Sequence, residues 1–151
     1  MNICVAHADQ SDVLAAVHAQ AFERPWAASE IAALLQTPGV FALLADEEPP
    51  AGIVLCRTVA DEAEILTLAV APWARRQGVA RGLVLAAQDL VRRAGAEALL
   101  LEVGATNTAA ITLYGGLGFI AAGRRKAYYD RSPGACEDAL VMRLDLTPQA
   151  R

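Results

Sequence analysis

The chain has 151 residues, 55% of them hydrophobic and 20% charged, with a formal net charge of −4 at neutral pH. That size and apolar content suit one domain over residues 1–151 with one sizeable core. The acidic balance argues against nucleic acid as the main partner, and an acidic surface can favour a cationic amine as substrate. No apolar run is long enough to span a bilayer, and the first residues lack the charged and apolar regions of a secretory signal. No membrane partner and a cytoplasmic location are therefore expected. Cys4, Cys56 and Cys136 are odd in number and widely spaced, which fits neither a disulfide framework nor a zinc site, so reduced thiols and no metal are expected.

Ile3 to Ala6 reads as a first strand. Asp9 or Ser11 can cap a helix whose apolar positions Val13, Leu14, Val17 and Ala21 share a face. His18 lies near that face, and neither it nor His7 has a companion at metal-ligand spacing, so both are expected to be structural. Pro25-Trp26 breaks the chain, and residues 29–36 form a second short helix with Ile31, Leu34 and Leu35 inward. These two helices and the loop between them can line a substrate pocket. Residues 40–45 and 51–59 follow as a hairpin, and residues 60–62 turn the chain into a β-prone run ending at Val70, which gives an antiparallel meander.

Pro72 ends that third strand, since a proline inside it would remove a ladder donor. Helical spacing begins at about Gly78 and runs to about Arg93, with Gly95 as a terminating residue. Between strand and helix lies Arg75-Arg76-Gln77-Gly78-Val79-Ala80-Arg81. Consecutive free amide N–H groups at a helix start, with no Cβ at Gly78 and only a methyl at Ala80, form a concavity that suits a phosphate. Arg75, Arg76 and Arg81 add positive charge, so the stretch asks for a polyphosphate ligand.

Residues 98–103 form a nearly continuous apolar strand, expected to be covered on both faces of the sheet and parallel to the strand before the helix. Glu102 is its one charged residue. Residues 107–117 read as another helix, with Tyr114 on its apolar stripe. Gly115-Gly116-Leu117-Gly118 sits at that helix's end rather than between a strand and a helix, which excludes a dinucleotide fingerprint. Residues 119–129 and 139–146 are expected to pair as the last two strands.

Three segments together resemble the GCN5-related N-acetyltransferases. Arg75-Arg76-Gln77-Gly78-Val79-Ala80 is similar to the family's (Gln/Arg)-x-x-Gly-x-(Gly/Ala) motif. Leu101-Glu102-Val103 followed by Asn107-x-x-Ala110-x-x-Leu113-Tyr114-x-x-Leu117-Gly118-Phe119 resembles its C-terminal signature. Pro25-Trp26 and the late Arg124-Arg125…Tyr128-Tyr129…Glu137-Asp138-Ala139-Leu140 resemble the RimI-like branch, which acetylates the N-terminal α-amino group of a small-subunit ribosomal protein.

The resemblance implies a mixed, mostly antiparallel sheet of about seven strands with four helices, splayed at the central parallel pair. It implies acetyl-coenzyme A as cosubstrate, its pyrophosphate on Arg76, Gln77, Gly78, Val79, Ala80 and Arg81. Its pantetheine arm would pair with the free edge of Leu68, Ala69 and Val70, with Asn107 bonding the same arm or capping its helix. Glu102 would be the base, its basicity raised by desolvation, or else a structural carboxylate paired with amides or an arginine. Tyr114 would protonate the departing thiolate, and Tyr128 and Tyr129 would flank the acceptor or pack as strand residues. Acceptors left open are a protein N-terminus and a small amine, beside a non-catalytic binding module. Two positions depart from the branch: Gly104 replaces an arginine after Leu-Glu-Val, and Ala71 an aspartate before the proline.

Overall fold

A computed structural model describes residues 1–126 and 138–146. Along the chain run β1 (Ile3–Ala6), α1 (Ser11–Ala21), α2 (Ala28–Leu35), β2 (Val40–Ala45), β3 (Gly52–Val59), β4 (Glu62–Val70), α3 (Val79–Arg93), β5 (Ala98–Gly104), α4 (Thr108–Gly116), β6 (Ile120–Arg125) and β7 (Ala139–Asp145). The strands form one sheet in the order β1-β2-β3-β4-β5-β7-β6. Every neighbouring pair is antiparallel except β4 and β5. That exception follows from the α3 crossover, since a parallel pair cannot be joined by a tight turn.

The parallel pairing is short. It joins Glu62, Ala63 and Glu64 to Ala98, Leu99 and Leu100 and goes no further, although β4 continues to Val70 and β5 to Gly104. Just beyond the last paired residue, the register of β3 against β4 slips: Cys56 faces Ile65 while Leu55 faces Thr67, so Leu66 is an extra residue on β4. Such a bulge bends its strand. Here it carries the end of β4 away from β5 and opens the sheet in its middle.

Side-chain alternation divides the core between the two faces of the sheet. On one face Val79, Leu83, Val84, Ala87 and Val91 of α3 pack with Leu43, Val54, Leu99, Leu101, Val103 and Tyr114. On the other, Leu14 and Val17 of α1 and Ile31 of α2 pack with Ala42, Leu44, Ile53, Leu55 and Ala69. Within β5, Leu99, Leu101 and Val103 are buried while Leu100 and Gly104 are half-buried and Glu102 is exposed. The expectation that this strand is covered on both faces is corrected: α1 and α2 contact β2, β3 and β4, and among the described residues no helix packs as closely on the second face of β5, where Glu102 is exposed.

Two local expectations also change. Neither Asp9 nor Ser11 caps α1 with its side chain. Instead a single 3-10 turn, Ala8–Gln10, precedes the helix, closed by the His7 N–H donating to Gln10 Oε1 at 3.1 Å and the Ser11 hydroxyl donating to the Ala8 carbonyl at 2.7 Å. At α2 the Ala27 N–H donates to Glu30 Oε1 at 2.8 Å, so a glutamate reaching back does the work that no Ser or Asp is placed to do.

Candidate active site

The bulge in β4 and the shortness of its pairing leave a cleft of about 360 Å³ through the opened sheet. Its walls are residues 65–68 of β4 and residues 101–104 of β5, with Tyr114 and Leu113 of α4 toward one face and His18, Phe22 and Trp26 toward the other. Glu102 and Tyr114 both line it. They approach from opposite sides, because Tyr114 belongs to the core under α3 while Glu102 alternates with the residues of that core. A molecule threaded through the opening meets a carboxylate on one side and a phenol on the other.

The β4 wall offers backbone. The Ala71 N–H donates to the Ala51 carbonyl at 2.8 Å, and Ala69 stands opposite Ile53. By alternation the N–H groups of Leu68 and Val70 point the other way, toward the opening. The side chain of Ala69 is buried beneath α1 and its main chain faces β3, so this residue fixes the edge while its neighbours Leu68 and Val70 present it. An extended ligand arm can pair with such an edge as an added strand.

Where β4 ends, the chain makes a 3-10 turn over Pro72–Ala74 and then reverses through Arg76 at φ 62° and Gly78 at φ 81°. The Gln77 side-chain amide donates to the Trp73 carbonyl at 3.0 Å and fixes the turn. Gly78 is the residue before α3; its left-handed backbone favours glycine, while the space in front of it is open, since a Cβ built there would meet nothing within 4 Å. The helix ladder begins with the Gly82 N–H on the Gly78 carbonyl at 2.9 Å. The N–H groups of Val79, Ala80 and Arg81 therefore lie ahead of the ladder, at the positive end of a 15-residue helix. Val70, Arg75, Arg76, Gly78, Ala80 and Arg81 surround a hollow of about 220 Å³ there. Leu113 borders both the hollow and the cleft, which places the two end to end.

Tyr114 is 7% exposed, its ring edge-on to Phe119 at 5.5 Å. Burial, with a smaller contribution from the neighbouring Cys56 thiol, pushes its phenol up to about 12. The group is thus a fully protonated donor throughout the neutral range. Asn107 caps α4, its Oδ1 accepting from the Ala110 N–H at 3.2 Å, and it also borders the cleft. The cap and a ligand contact are compatible, since the amide NH2 is not used in the cap.

Glu102 departs from what its apolar flanks suggest. Its side chain is 41% exposed, and Arg125 donates to Oε1 through Nε at 3.0 Å and Nη2 at 2.5 Å. The expected desolvation is absent, because β4 has bent away from the face that carries the carboxylate. Tyr128, Tyr129 and Cys136 lie outside the described residues, so their expected places are not compared.

Sequence reasoning placed His18 on a buried face but gave it no part in the site. In the structure it is the pivot of the cleft wall opposite Tyr114. The imidazole is buried, stacked on Phe22 at 4.4 Å and on Trp26 at 5.0 Å. The Trp26 N–H donates to Nδ1 at 3.1 Å, which leaves Nε2 to carry the proton and donate to Thr67 Oγ1 at 3.1 Å. Burial lowers its pKa, consistent with a neutral ring holding the α1–α2 loop against β4. The signal present in the sequence was His18, Phe22 and Trp26 at spacings of four on or just past a helix; Thr67 was not foreseeable.

Among the described residues no group of three or more His, Cys, Asp or Glu could hold a metal ion, and no helix is long and apolar enough to cross a membrane. The geometry can therefore be set beside known proteins. The chain is 33% identical over 145 residues to the ribosomal protein bS18-alanine N-acetyltransferase of Escherichia coli K12, covering 95% of this chain and 97% of that one. The crystal structure of the ribosomal-protein-S18-alanine N-acetyltransferase from Escherichia coli superposes with a TM-score of 0.87 at 29% identity, over 99% of this chain and 96% of that chain. A chain of the NatC complex bound to Gag peptide and CoA superposes with a TM-score of 0.77 at 25% identity, over 97% of this chain and 100% of that chain. Residues 8–119 match the acetyltransferase (GNAT) family, and with the splayed sheet and helix-start turn already described, the chain belongs to that family.

Proposed function

We propose that this acetyltransferase moves the acetyl group of acetyl-coenzyme A onto the N-terminal α-amino group of a protein, with a small-subunit ribosomal protein as the favoured acceptor. The observation that carries the proposal is one cleft bordered by Glu102 on one side and Tyr114 on the other, with Leu113 in the walls of both it and the cationic hollow at the start of α3. Support for the acceptor comes from the printed activity of the Escherichia coli relative and from the peptide and CoA held together in the NatC neighbour.

The cosubstrate supplies an activated acetyl thioester. Val79, Ala80 and Arg81 would meet its pyrophosphate with main-chain N–H groups, assisted by the charges of Arg75, Arg76 and Arg81, while Gln77 holds the turn. The edge of Leu68, Ala69 and Val70 would align its amide-bearing arm, and Asn107 would add a side-chain donor. An α-amino group has a pKa of about 8 and is mostly protonated at neutral pH, so it must lose a proton before it can attack. Glu102 takes that proton, directly or through a water. The Val70 N–H, pointing into the opening, stabilises negative charge on the carbonyl oxygen. As the C–S bond breaks, the Tyr114 hydroxyl gives its proton to sulfur, and the second proton lost by the acylated nitrogen restores the phenol by way of water. A cytoplasmic location completes the proposal.

The test is thiol release from acetyl-coenzyme A with three acceptor sets: peptides with free N-termini, the same peptides with blocked N-termini, and a panel of small amines. Turnover with free N-termini alone is expected. Turnover with small amines alone would reassign the acceptor, and cofactor binding without any turnover would favour a sensing module.

A further inference from the structure

The carboxylate of Glu102 is approached by a cation from a strand that is not its neighbour. Glu102 stands opposite Val141 on β7, and Val141 opposite Gly123 on β6; two residues along, Gly104 stands opposite Ala139, and Ala139 opposite Arg125. Glu102, Gly104, Ala139 and Arg125 therefore share one face of the sheet. On β7 the path from Arg125 to Glu102 passes Ala139, with only a methyl, beside Val141, and Gly104 next to Glu102 has no side chain, so the guanidinium can lie across β7 and reach β5. Its Nε at 3.0 Å and its Nη2 at 2.5 Å both donate to Oε1. No other bond to Glu102 is made among the described residues, which leaves Oε2 open. With the two side chains 49% and 41% exposed, such a pair contributes little to stability.

We propose that Arg125 is a positioning residue for acetyl transfer: it holds Glu102 by Oε1 so that Oε2 is presented to the acceptor amine. The inference rests on Glu102 as the proton acceptor. An arginine suits this task because its fork fixes a carboxylate in direction as well as in charge, and because it does not give up its own proton. In the step it serves, an N–H bond of the acceptor ammonium breaks and an O–H bond forms at Oε2; the freed electron pair then makes the new C–N bond as the carbonyl π pair moves onto oxygen. The proton leaves Oε2 to water after turnover. Arg124, paired with Asp138 Oδ2 at 3.1 Å, anchors the same end of β6 beside the start of β7.

The experiment is steady-state kinetics with acetyl-coenzyme A and a free-N-terminus peptide for Glu102→Gln, Arg125→Ala, Arg125→Lys and the double variant Glu102→Gln/Arg125→Ala. Expected are a fall in kcat of about 100-fold for Glu102→Gln and about tenfold for Arg125→Ala with KM for acetyl-coenzyme A unchanged. Arg125→Lys should recover part of the loss, and the double variant should be no slower than Glu102→Gln alone, since Arg125 acts only through that carboxylate. Multiplying losses in the double variant, or full activity in Arg125→Ala, would overturn the positioning role while leaving Glu102 in place. Full activity in Glu102→Gln would overturn the assignment of Glu102 and the inference with it. Should Arg125→Ala not fold, the same cycle run with Arg125→Lys decides the question by whether its loss disappears in the Glu102→Gln background.

Discussion

The middle of β4 and the turn beyond its end serve the site with different materials. Beyond Val70 the chain offers main-chain N–H groups, a left-handed glycine and empty space; the side chains there are exposed cations. Around residues 65–68 the site is made of side chains fixed by partners: His18 between Trp26 and Thr67, Tyr114 against Phe119, Glu102 under Arg125. A surface of amides resists the loss of any one side chain and fails when something is added to it. A surface of paired side chains fails when one is removed.

Gly78→Glu should break the first kind most severely. It forces a side chain onto a residue at φ 81° and adds a carboxylate to the lining of the cationic hollow at the start of α3, and a loss of acetyl-coenzyme A affinity of at least about 100-fold is expected by calorimetric titration, with the fold retained by circular dichroism. His18→Ala should break the second kind. It leaves the Trp26 N–H and the Thr67 hydroxyl without their partner and empties a stacked ring position, a cost of about 2–4 kcal/mol in denaturant unfolding.

The same histidine gives a pH dependence of fixed sign. Its pKa is lowered in the folded chain, so the folded state binds the proton less readily than the unfolded one. The stability it contributes is present above the ordinary value of 6.5 and is lost as pH falls below it, where a protonated Nδ1 would face the Trp26 N–H. Unfolding curves at pH 7.5 and 5.5 should differ more for the native chain than for His18→Ala. Arg81→Ala, removing one exposed cation and no amide, should weaken acetyl-coenzyme A binding only a few-fold, and less at high salt.

What was legible in the sequence followows the same division. The strand–turn–helix from Leu68 to Arg81 could be read because its parts are adjacent: a proline stops the strand, a glycine permits the turn, and the helix start supplies donors. The strand order around the α3 crossover was legible for a similar reason. The Glu102–Arg125 contact spans 23 residues and joins strands two apart in the sheet, across the small paired residues Gly104 and Ala139, and the His18–Thr67 contact spans 49. Neither leaves a local pattern. The exposure of Glu102 was misread because apolar neighbours in β5 suggest burial, whereas the bulge at Leu66 decides which face stays open.

The measurement closest to the central claim is Tyr114→Phe, followed by acetyl-coenzyme A titration and peptide-dependent thiol release on the same preparation. A phenol pushed up to about 12 carries its proton at every working pH, and the variant removes that proton with little change in shape. The account predicts an acetyl-coenzyme A Kd within about twofold of the native chain and a kcat lower by about 100-fold. An unchanged kcat would remove Tyr114 from the chemistry and contradict a cleft that works by a proton acceptor on one side and a proton donor on the other.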